Sequence, residues 1–98
     1  MVKLTWSAFA LSDRDAIFTY IEADNRAVAV LIDERIAAAA RRLLDFPASG
    51  RVRRIAGTRE LVINGTLYIA AYAIAETTVR ILRVLHGAQE WPENLALS

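Results

Sequence analysis

The sequence predicts an α+β fold, a two-helix hairpin packed on a mostly antiparallel sheet in the order β-α-α-β-β-β-β. Three observations predict it. Two segments of helical apolar spacing follow one another almost without a linker in the N-terminal half. The C-terminal half consists of alternating runs broken by turn signals. The composition, 55% hydrophobic and 23% charged, is that of a folded chain rather than a disordered one.

The elements follow in order. "VKLTW", Val2 to Trp6, alternates apolar and polar side chains and reads as a first strand. Ser12 with Asp15 three residues on resembles a capping box and predicts a short helix from about Asp13 to Asp24. Ile17, Tyr20 and Ile21 share one face of it. Asn25 is the expected cap of a second, alanine-rich helix. Val28, Leu31, Ile32, Ile36, Ala39, Ala40 and Leu43 recur there at helical spacing. Phe46 and Pro47 stop that helix near Asp45, because a residue before proline avoids the helical region. The apolar stripe of this hairpin must cover a sheet or accept another chain.

"PASGR" is expected to be a loop, and "RVRRI" a strand with its arginines on one side. "TRELVINGTLYIAAYAIAETTVRILRVLH" divides into three strands. Asn64-Gly65 marks a tight hairpin turn with both central residues at positive φ, and Glu76-Thr77 marks the next turn. No internal repeat or low-complexity segment interrupts the series.

Ninety-eight residues make a single domain, 1–98, able to bury roughly two-thirds of its unfolded surface. The absence of cysteine excludes disulfides and thiolate metal sites and suits a reducing cytoplasm; one histidine makes an imidazole metal site improbable. No cofactor or metal is expected. "MVKLTWSAF" is too short and too mixed for a signal peptide, and no apolar run approaches a membrane span. Charge is uneven although the net is +1: residues 1–46 carry −1, residues 51–83 carry +4 with arginine as their only base, and the last fifteen carry −2. An arginine-rich patch suits an anionic partner, whether an acidic protein segment or a nucleic acid.

No nucleophilic serine elbow and no phosphate-binding glycine loop is present. The residues left to carry chemistry are Arg59, Glu60, Arg80, Arg83, His86 and Gln89. Simple alternation places Val79, Ile81, Arg83 and Leu85 on one face of the last strand and Arg80, Leu82, Val84 and His86 on the other. Arg83 is expected at the sheet border, paired with Glu60 or a helix carboxylate. His86 at the strand end either donates to a backbone carbonyl or serves as a general acid or base. Tyr68 and Tyr72 read as packing residues on one strand face, and Trp91 and Pro92 as anchors of the tail.

"GTRELVI", "YIAAYAI" and "ILRVLHGAQEWP", with a first strand ending in tryptophan and a second helix ending in "LLDFP", resemble the toxins of the RelE/ParE superfamily of bacterial type II toxin–antitoxin pairs. The resemblance covers nearly the whole chain. It implies a small cytoplasmic toxin neutralised by a cognate antitoxin whose C-terminal segment threads over it. The apolar helix positions Val28, Leu31 and Ile32 and the strand arginines Arg53, Arg59, Arg80 and Arg83 are the positions expected to receive such a segment. RelE-like members cut messenger RNA in the ribosome; in that branch His86, Arg83 and Arg59 would be the catalytic set. ParE-like members poison DNA gyrase and need no nuclease site. Ile69 and Ala70 stand where RelE-like enzymes carry a base, and "GAQEWP" stands where they carry arginine and tyrosine. These departures favour the ParE-like branch, with message cleavage as the alternative and a toxin-like domain that only binds its antitoxin as a third reading.

Overall fold

The computed structural model of the chain describes residues 2–89. Its elements are β1 (Lys3–Trp6), α1 (Ala8–Glu22), α2 (Arg26–Arg42), β2 (Arg51–Val52), β3 (Thr58–Val62), β4 (Tyr68–Ala75) and β5 (Thr78–His86). They form one five-stranded sheet in the order β1-β5-β4-β3-β2, with β1 parallel to β5 and the other pairs antiparallel. The α1–α2 hairpin covers one face of it. The expected element order and α+β class therefore hold.

The start of α1 differs from expectation. Its cap is Ser7, not Ser12, so the helix begins at Ala8. The Ser7 hydroxyl accepts from the Ala10 amide at 2.9 Å and donates to the Leu82 carbonyl at 2.7 Å. Parallel pairing of β1 with β5 brings Ser7 to this place, where its own amide donates to the Ile81 carbonyl at 2.9 Å. A serine that satisfies the helix end and the strand edge together prevails over a local capping-box pattern. Asn25 caps α2 as expected, accepting from the Val28 amide at 3.1 Å.

Two further local expectations are corrected. β2 has only two residues, because Thr58 closes a turn onto the Ile55 carbonyl through both its amide and its hydroxyl, and Gly57 takes φ 81°. Arg53 and Arg54 thus leave the strand. At Asn64-Gly65 only the glycine is left-handed, at φ 78°, and the Thr66 amide donates to the Ile63 carbonyl, the pattern of a type II turn. The turn expected at Glu76-Thr77 is present between β4 and β5, with Glu76 left-handed at φ 51°.

The most consequential correction lies in β5. Tyr72 pairs with Ile81 but Ala71 pairs with Arg83, so Leu82 is an extra, bulged residue. Alternation shifts by one there. Val84 joins Val79 and Ile81 against the helices, together with Ala70, Tyr72, Ile63, Ile36, Ala40 and Leu43. Leu82 packs with Ala71 and Ala73 on the opposite face. Tyr72 is wholly buried, and its hydroxyl donates to the Pro47 carbonyl at 2.7 Å and accepts from the Gly50 amide at 2.9 Å. Among the described residues no helix is long and apolar enough to cross a membrane. The anchoring role expected of Trp91 and Pro92 lies outside the described residues.

Candidate polypeptide-binding groove

The three residues expected to serve a nuclease are not brought together. Arg59 has the same strand parity as Leu61, which packs on the helix side, and its guanidinium donates to the Ala48 and Gly50 carbonyls at 3.2 and 2.8 Å. Arg83 lies beyond the bulge, paired in register with Ala71. It forms a two-pronged bond to the Asp13 carboxylate of α1, at 2.8 and 3.0 Å, with its guanidinium 5.7 Å from the Phe9 ring centre. The bond to Asp13 raises its pKa, against the lowering effect of burial. The helix-carboxylate pairing expected for Arg83 is thus present.

His86 stands at the far end of β5, edge-on to Tyr68 with ring centres 5.6 Å apart. Its Nδ1 accepts from the Ala88 amide at 3.0 Å. This reverses the donation to a backbone carbonyl expected at the strand end: the turn after β5 brings a backbone amide to the ring, and the ring accepts. Tyr68 is half-buried beside it, and desolvation, then the nearby Tyr20, push its phenol above the ordinary range. Among the described residues no group of three metal-ligating side chains converges.

Nor do the strand arginines form one cationic floor beneath the helices. The helix-covered sheet face is apolar. Arg80 lies between Val79 and Ile81 in sequence and therefore points to the other face. Arg53 is half-buried beside the turn before β3. The seven positions expected to receive an antitoxin thus separate: Val28, Leu31 and Ile32 stay together on α2, while Arg53, Arg59, Arg80 and Arg83 go elsewhere.

What α2 does present is a groove along its flank. Val28, Ile32, Arg35, Ala39 and Arg42 fall in one row at spacings of four and three. The N-terminal half of this row lines a hollow of about 410 Å³, closed by Tyr20, Leu67, Tyr68 and His86. The C-terminal half lines a second, of about 350 Å³, between Phe46 and the outer strand residues Leu61 and Val62. The walls are largely apolar and open: Phe46 is 60% exposed, Val62 57% and Leu67 70%. β2 covers β3 only opposite Arg59 and Glu60, so Leu61 and Val62 lie beyond its last pairing. At 1.5 Å per residue the row from Val28 to Arg42 makes the groove about 21 Å long, the scale of a bound peptide.

Of the groove's residues the sequence pattern identified Val28 and Ile32, with Leu31 exposed beside them on α2, but not Arg35, Arg42 and Phe46. The signal was present, since Arg35 and Arg42 continue the Val28 row at seven-residue intervals. An apolar helix stripe combined with strand arginines leaves out the arginines of the helix itself.

A helical hairpin thus lies on a five-stranded sheet, with an open, largely apolar groove along one helix. The family model described as "ParE toxin of type II toxin-antitoxin system, parDE" matches residues 4–91, and the chain belongs to that family. It is 42% identical over 93 residues to the toxin-named Y4kP of Sinorhizobium fredii, covering 95% of this chain and 96% of that one. It is 34% identical over 89 residues to toxin RelE2 of Caulobacter vibrioides, covering 91% and 99%. Its fold matches a chain of a chromosomal ParDE system from P. aeruginosa with a TM-score of 0.77 at 24% identity, over 88% of this chain and 96% of that one.

Proposed function

We propose that this type II toxin acts in the cytoplasm as a poison of DNA gyrase, held inactive by a cognate antitoxin seated in the α2 groove. The observation that carries the gyrase reading is the dispersal of Arg59, Arg83 and His86. Two of these three are consumed by internal bonds, to backbone carbonyls and to Asp13. A nuclease that relies on positioned acid, base and cation has no such constellation in these residues. A gyrase poison needs only a surface. The antitoxin uses Val28, Leu31 and Ile32, and its acidic character is met by the arginines of α2 rather than by those of the sheet.

Purified gyrase supplies the test. Stoichiometric toxin is expected to block supercoiling and accumulate cleaved DNA, and unaltered supercoiling would overturn the reading. One observation favours a second reading, message cleavage at the ribosome: a relative carries the RelE name. Induction without antitoxin separates the two. Filamentation with DNA-damage signalling, retained by His86→Ala, supports gyrase; rapid loss of translation with cut messages, abolished by His86→Ala, supports the ribosome.

A further inference from the structure

Arg35 occupies the middle of the groove. It stands between Ile32, which lines the first hollow, and Ala39, which lines the second. Its guanidinium lies against Gly65 at the β3–β4 turn, where a Cβ would land on it. The side chain thus bridges from α2 to the turn and divides one groove into two hollows. Among the described residues the ion pairs engage Arg14, Arg26, Arg51 and Arg83, and none engages Arg35. It is an exposed cation with apolar walls on either side.

A purely apolar partner laid along this groove would strip water from Arg35 and return nothing, which is costly for a charge. A carboxylate would meet its planar fork with two parallel bonds. We propose that Arg35 reads one carboxylate of the antitoxin segment, placed midway between two apolar side chains about 10 Å apart that fill the two hollows. The separation is that of Ile32 from Ala39 along the helix. This rests on the antitoxin being the occupant of the groove.

The experiment titrates the toxin, and its variants, with the antitoxin encoded beside its gene, at low and high salt, with melting temperatures as folding controls. Arg35→Met is expected to weaken binding about tenfold and to flatten the salt dependence. Arg35→Glu should weaken it about a hundredfold, and lysine in place of one antitoxin carboxylate should restore at least a factor of ten, which a misfolded variant would not allow. Val28→Asp and Val62→Asp, one in each hollow, test the groove itself. If neither alters affinity, the groove reading falls. If both weaken binding while Arg35→Met stays within twofold and no charge reversal restores Arg35→Glu, the Arg35 inference alone falls. A toxin that dimerises by itself and is made monomeric by Val28→Asp would give the groove to a second copy and overturn the proposal.

Discussion

Asp13→Ala should be among the most damaging single changes outside the apolar core. The Asp13 carboxylate accepts three bonds: Nε and Nη2 of Arg83 at 2.8 and 3.0 Å, and the Val84 amide at 2.9 Å. β1 ends opposite Ile81, so this carboxylate replaces a missing neighbouring strand for β5. The pair is largely enclosed, with side-chain exposures of 14% for Asp13 and 24% for Arg83. Removing the carboxylate strands a guanidinium and orphans the amide of a buried residue. A fully buried pair broken this way costs about 3–5 kcal/mol and a buried amide left without a partner about 1–3. Partial exposure brings the combined figure to about 3 kcal/mol, a fall in Tm of roughly 12–24 °C for a domain of this size. Asp13→Asn keeps an acceptor for the amide and loses the charge, so about half the effect is expected. Thermal and urea unfolding followed by circular dichroism read both. A double-mutant cycle with Arg83→Met should give a coupling of at least about 1 kcal/mol. Stability within 1 kcal/mol of the parent for Asp13→Ala, or zero coupling, would refute the reasoning.

Other outcomes follow from the same contacts. Ser7→Ala should cost about 2 kcal/mol in urea unfolding, because it removes a helix cap and the bond to Leu82, whereas the exposed Ser12→Ala should be nearly neutral. Gly50→Ala should cost about 2–3 kcal/mol, since a Cβ would lie 2.6 Å from the Tyr72 hydroxyl and 2.7 Å from the Glu60 carbonyl. Gly57→Ala meets open space at φ 81° and should lose only about 1 kcal/mol by the same assay. Tyr68 holds its proton more tightly folded than unfolded, so stability should fall as pH rises past about 10, where the unfolded phenol begins to ionise. A pH series of melts should show this fall and show it reduced in Tyr68→Phe.

By itself the sequence determined what depends on near neighbours. The run of strand and helix types, the Asn25 cap, the position of the strand turns and the apolar face of α2 are set by spacings of two, three and four residues and by local side-chain chemistry. They can be read without knowing what lies across the fold. Only the tertiary structure decided which serine caps α1, because that cap is selected by pairing with a strand some seventy residues later in the chain. The Leu82 bulge likewise decided which side chains of β5 share a face, and no periodicity announces an inserted residue. The same holds for the arginines. Composition shows that they are many, but their roles depend on whether folding brings a carboxylate, as for Arg83, backbone carbonyls, as for Arg59, or only a glycine turn, as for Arg35. A charge is defined by its partners, and partners distant in sequence are assigned by register and packing.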